Sequence, residues 1–289
     1  MAGSTFGARL LQAAERVRIL REQIEDARER HRSVDVGLRA VERDSEIGGS
    51  LLAGAIAYRL FVFLLPFALF LVAGLGLYSD ATDREADDLA QDVGVTRLVA
   101  EQLATAASDT ARWWVLLITV PILAYAVGQL FRSVAIVHAL AFAGTGRGTR
   151  VQPRSVGLFA AAAFGQFVVV NLVGLLYERS LPAMLAGVVL AVAVLAALWL
   201  GVTELVPHGT ATPRERVPGA MLYAVGTLGL YVFNALLIGW LIESRADTYG
   251  ALGAAAALLF TMYLSGRLIV ATAVLNAVVA APEREVRNP

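Results

Sequence analysis

The sequence holds neither cysteine nor lysine among its 289 residues, and it is short of charge altogether. Without cysteine there is no disulfide scaffold, thiolate nucleophile, Cys-ligated zinc or iron–sulfur cluster, and the redox compartment is unreadable. Without lysine there is no GxxxxGK[ST] phosphate loop, which leaves an ATP-driven pump unsupported. Charged residues make up 17% of the chain, against ~25% in ordinary globular domains. What fills the sequence instead is apolar: 57% hydrophobic residues, with a mean hydropathy of +0.65. A soluble domain this apolar could not cover its own surface, so the excess faces lipid. The net charge of zero says little, because the charges are segregated: 18 of 48 lie in residues 1–47, as nine Arg and nine acids.

A bilayer core ~30 Å thick needs ~20 mostly apolar residues in a helix. Six runs qualify, at about 51–78, 113–142, 156–177, 181–206, 218–242 and 250–281. None alternates as a barrel strand would, and helices satisfy their backbone within the segment. The fold class is therefore all-α, a polytopic membrane protein with a six-transmembrane-helix bundle. The first run begins after 47 polar residues, a spacing that predicts no cleavable signal peptide. Orientation follows from arginine near the span ends: twelve fall on the side of the N-terminus and five on the other. That bias predicts both termini in the cytoplasm, with 1–47 and the tail 282–289 inside and an acidic loop at 79–112 outside. The loop's acids lack the spacing, glycine and closing Glu of a calcium loop, and read as a solvated cap.

Within residues 1–47, Leu10, Val17, Ile24, His31 and Leu38 recur every seven residues, as do Ala13, Leu20, Ala27, Val34 and Val41. The pattern is an a/d seam. It predicts an amphipathic helix that makes a homodimer through residues 10–41, or lies on the membrane, or packs under the bundle.

The bilayer penalises a mid-depth charge by about 2.5–3.5 kcal/mol on insertion scales, so such residues point to function. Three arginines qualify: Arg59 in span one, Arg132 in span two and Arg267 in span six. At a rise of ~1.5 Å per residue all three fall at similar inner-leaflet depth, roughly 12–15 Å for the first two. Together they predict an anion site, because guanidinium grips phosphate or carboxylate through two parallel hydrogen bonds. Gln166, Asn171 and Asn234 would continue a polar path, and Glu204, the one acid in the spans, is a pairing candidate for Arg267. The competing reading has the arginines snorkelling or stapling helices, with the amides as interhelical glue. Pro66 and Pro121 remove backbone donors and predict bends in spans one and two.

The run Leu52-Ala53-Gly54-Ala55-Ile56-Ala57-Tyr58-Arg59, followed by Leu65-Pro66, resembles the YihY/BrkB family, also called YhjD-like. Tyr263-Leu264-Ser265 and Leu275-Asn276-Ala277 are similar to its closing motif, with Val274 where the family carries an acid. The resemblance covers about residues 45–281. It implies a multi-pass protein of the bacterial plasma (inner) membrane, tied to envelope integrity and to lipid or glycolipid transport. Older labels call the family ribonuclease BN. The residues argue against that independently, since His31, His138 and His208 are scattered and no basic surface is free for nucleic acid. No nucleophile–base pair or metal set stands out, so no enzyme, metal or cofactor is expected. The reading is a membrane protein that binds or translocates an anionic lipid or another amphipathic anion. The alternative is a non-transporting scaffold whose N-terminal helix makes dimer or partner contacts.

Overall fold

Helices follow one another through the computed structural model, which describes Arg18, Arg28 and residues 30–82, 109–143, 152–176 and 181–281. They are α1 (Arg32–Glu46), α2 (Gly49–Thr82), α3 (Asp109–Ala141), α4 (Pro153–Leu176), α5 (Leu181–Leu205) and α6 (Pro213–Ala280). Among the described residues there is no strand. Six stretches of the described residues are long and apolar enough to cross a membrane: Gly49–Leu71, Trp113–Ala141, Pro153–Leu172, Leu181–Leu205, Pro213–Leu236 and Ala255–Ala280. The chain is an all-α integral membrane protein. Large apolar side chains such as Leu51, Leu65, Trp113, Leu117, Leu190 and Leu236 stand exposed around the outside, as lipid-facing helices require. Most of the acidic loop 79–112, the tail 282–289, and the seam residues Leu10, Ala13, Val17, Leu20, Ile24 and Ala27 lie outside the described residues.

The length of α6 decides how the bundle closes. Gly219 and Asn276 are 57 positions apart, yet the Gly219 N–H donates to Asn276 Oδ1 at 3.0 Å. A straight helix would separate them by about 86 Å. The run therefore folds back, with arms Pro213–Leu236 and Ala255–Ala280 antiparallel. The residues between keep helical backbone, where the sequence predicts a separate loop at 243–249. No proline interrupts Leu237–Gly250 to stop the helix. Pro66 and Pro121 likewise sit inside helices that continue through them.

α1 packs under one end of the bundle, the proximal end. Val36, Ala40 and Ile47 rest on the core cluster. Arg43 donates to the carbonyls of Leu140 (2.8 Å) and Ala141 (3.1 Å), acceptors that a helix C-terminus leaves orphaned. Asp44 takes both guanidinium nitrogens of Arg267, each at 3.1 Å. Gly48, at φ +66, makes the turn into α2, and a Cβ on Gly49 would lie 2.0 Å from Asp44 Oδ1. The two glycines thus let the helices meet tightly beside this ion pair. The seam's d positions point elsewhere, with Val34 37% and Val41 69% exposed.

Small residues let α2 and the second arm of α6 touch. Ala53, Ile56, Val270, Ala273 and Val274 are wholly buried, and a Cβ on Gly266 would lie 2.4 Å from the Ala53 carbonyl oxygen. That oxygen is backbone and cannot rotate away. Gly266→Ala should therefore lower stability in detergent by about 1–3 kcal/mol, the usual cost of overpacking. Gly229→Ala, where a Cβ meets nothing within 4 Å, should leave the melting temperature in place. A thermal-shift comparison of the two checks this. Asp44→Asn and Arg267→Gln should each lower the melting temperature too, and their double-mutant cycle should return coupling of about 1 kcal/mol or more.

Candidate functional site

A cavity of about 600 Å³ lies inside the bundle, walled by α2, α3, α4, α5 and both arms of α6. Its volume falls in the range of ligand pockets, ~300–1,000 Å³. Its walls are mainly apolar, with Phe63, Phe67 and Phe167 on one side; the Phe67 and Phe167 rings meet edge to face at 5.8 Å. The polar groups that reach it are neutral. Gln166 on α4 hydrogen-bonds the Tyr223 hydroxyl of α6 at 2.7 Å. Asn171 donates to the Phe167 carbonyl of its own helix at 2.8 Å, and Asn234 accepts from Thr261 across the two arms of α6. The three amides of the expected polar path thus all line the cavity, each already held by a protein partner.

The arginines stand differently. None of the three lines the cavity. Arg132 is exposed and lies about 140–180° around α3 from the lining residues Leu123, Val127 and Leu130, at 100° per residue. Arg267 lies about 100–160° around its arm from Met262, Ser265, Leu268 and Ile269, where Asp44 holds it. Convergence of all three on one lumen, the expectation from equal depth, does not occur, because depth fixes height along a helix and leaves its rotation open. Arg59 is half-buried on the cavity rim, beside the lining residues Leu60 and Phe63, and donates to Gln129 Oε1 at 2.8 Å. Gln129 and Arg132 are three apart on α3, hence surface neighbours. Arg59 and Arg132 therefore share the α2–α3 seam, and Arg132 has no partner among the described residues.

Glu204 pairs with Arg216, not with Arg267, and its other oxygen is 3.8 Å from His208. Arg216 is 2% exposed and also donates to Thr203 Oγ1 at 3.1 Å. The pairing is local, since the short connection from α5 to α6 brings positions 204 and 216 together. Directly above, Trp199 stacks on Tyr223 with ring centroids 3.6 Å apart and planes 7° off parallel, forming the cavity floor. His138 lies beside Trp199, 1% exposed, its Nδ1–H donating to the Val134 carbonyl at 3.0 Å.

Sequence reading passed over Gln129, Asp44, Arg216, Trp199 and Tyr223. Arg216 falls in the predicted connection between spans four and five, although Thr212, Pro213 and Glu215 just before it are a helix-start signal. Asn276, quoted only as part of a motif, is wholly buried and wedged where a Cβ on Gly219 would lie 2.2 Å from its Oδ1. Val274, in the position of the family's acid, is wholly buried in the core. Among the described residues no three His, Cys, Asp or Glu side chains come together as a metal site.

Neither a curated protein nor a solved structure matches the chain. Residues 40–289 match the family described as Virulence factor BrkB, from the middle of α1 to the end of the chain. The protein belongs to the BrkB family.

Proposed function

We propose that the protein binds an anionic membrane lipid and moves it across the bilayer in support of the cell envelope, with an acyl chain in the cavity and the headgroup on Arg59 and Arg132. One observation carries the reading: an apolar intramembrane cavity has a guanidinium on its rim and a second, partnerless one a turn away along the same seam. Apolar walls suit a chain, and neutral amides tolerate an ester carbonyl without fixing a charge. Guanidinium on a lipid-facing seam suits a phosphate, which supplies the counter-charge the helices withhold. The family is not a known enzyme family, and no catalytic step enters this reading. Arginine asymmetry supports a cytoplasmic proximal end, and the reading sets the protein in the bacterial inner membrane. Arg267 is a staple in this reading, without ligand contact.

The lipids retained by the purified protein test the proposal. Mass spectrometry should find one anionic class enriched over bulk membrane, and Arg59→Gln with Arg132→Gln should abolish the enrichment. Ala163→Phe, which fills cavity wall, should lower total retained lipid several-fold. Bulk-like lipid in all samples rejects the reading.

A second reading, a scaffold that dimerises through residues 10–41, is favoured by one feature of α1. One face docks on the bundle while Val34 and Val41 of the seam stay exposed. In a chain without native cysteine, Val41→Cys should oxidise to a cross-linked dimer in membranes, and Val36→Cys, facing the bundle, should not. Monomer from both removes the dimer.

A further inference from the structure

Between the cavity floor and the proximal surface lies a layer of buried polar groups that the lipid reading does not use. Arg216, Thr203, His138 and Asn276 are each no more than 2% exposed, and Trp199 is 3%. Arg216 Nε, Trp199 Nε1, Asn276 Nδ2 and His138 Nε2 are buried without a hydrogen-bond partner among the described residues. Three of these atoms are N–H donors. The fourth is the second ring nitrogen of His138, whose Nδ1–H is engaged by Val134. Buried unpartnered polar atoms are costly, and that cost disappears when water reaches them. An interface built this way separates more readily than an apolar one of equal area.

Its surroundings supply the parts that movement needs. Pro218 sits inside α6, lacks a backbone donor and leaves the carbonyl of Arg214 without its usual helical partner. The next donor, Gly219 N–H, bonds the side chain of Asn276. The segment before this point, Pro213–Val217, thus has one backbone bond fewer to the next turn of its helix, and it carries Arg216. Besides the Thr212–Glu215 capping bonds and the Arg216–Thr203 bond, it is held by the ion pair to Glu204, whose side chain is 53% exposed and open to water. Gly209, at φ +58, lets the connecting loop turn against Phe142. That brings the loop against the residue that follows α3.

We propose that this layer is a gate for water between the proximal surface and the cavity, closed in this structure. The Arg216–Glu204 pair is its latch, the Trp199–Tyr223 stack its inner seal and Pro218–Gly219 its hinge. The inference rests on the cavity of the lipid reading but not on its occupant. Opening hydrates the four unpartnered atoms and gives water-soluble species a route to the floor; closing returns the cavity to the bilayer's dielectric.

The test uses the absence of native cysteine. Val202 is 3% exposed and lines the cavity, so Val202→Cys reports water at the floor. The full-length protein in lipid nanodiscs is treated with a charged methanethiosulfonate reagent that does not enter lipid. Val202→Cys should react measurably, about tenfold faster when combined with Glu204→Gln and at the parent rate with Glu204→Asp. Pro218→Ala, which restores the backbone donor, should slow the reaction by a similar factor and keeps the test alive if Glu204→Gln fails to fold. A Val202→Cys thiol that stays unreactive in every background overturns the gate. So does one whose rate ignores both Glu204 and Pro218. Labelling reads water entry with or without a retained lipid, so a failure of lipid selectivity leaves this result standing.

Discussion

A polar group inside a bilayer cannot borrow a partner from water, and most of this structure follows from how its few intramembrane polar groups find partners within the chain. Arg267 reaches down to Asp44 and in doing so ties the helix that precedes the membrane to the last span. Asn276 reaches Gly219 and fixes the two arms of α6 side by side. Gln166 meets Tyr223 and joins α4 to α6. Each bond is modest alone, yet each joins elements that packing of featureless Leu, Val and Ala surfaces would register only loosely. With polar pairs at several contacts the register of the bundle is more narrowly fixed than apolar faces alone would fix it.

The same constraint separates chain from charge. A guanidinium pointed into an apolar cavity would need a counter-ion there at all times, whereas on the lipid-facing seam it can bend toward the headgroup region when empty. The insertion penalty of about 2.5–3.5 kcal/mol for a charge at the bilayer centre falls as the side chain reaches toward the interface. Arg132, about nine residues from the proximal end of α3 and so near 14 Å by helical rise, has that reach. The cavity can therefore stay neutral, lined by amides whose hydrogen bonds are already made.

Periodicity and length made the helical architecture legible, since six apolar runs of bilayer length permit little else. The positions of Gln166, Asn171 and Asn234 were legible too, because polar groups in apolar runs turn inward. Rotation about the helix axis was not. Residue counting gives Arg59, Arg132 and Arg267 similar heights along their helices, but whether a residue faces the cavity or lipid depends on how neighbours pack around it. Partnership over distance was equally hidden: Asp44 and Arg267 are 223 positions apart, and nothing in either segment names the other. Arg216 shows a third limit, since a loop cation by position becomes the most buried charge among the described residues once Pro213 starts a helix there.

The two ends of the cavity are treated unlike each other in a way that bears on transport. At the proximal end the floor is an aromatic stack over a polar layer, and that layer is closed by an ion pair with one partner half in water. On the α2–α3 side the wall is a line of phenylalanines with a guanidinium at the rim. Water and lipid would thus approach from different directions, one along the bundle axis and one sideways between helices. A protein that only held its helices together would gain nothing from leaving donors unpaired under a cavity floor, because replacing them with packed apolar side chains is often neutral or stabilising. The cost is intelligible if the layer spends part of its time hydrated. A lipid carrier has that need, since a headgroup crossing the bilayer must exchange its water at one face before it meets the other.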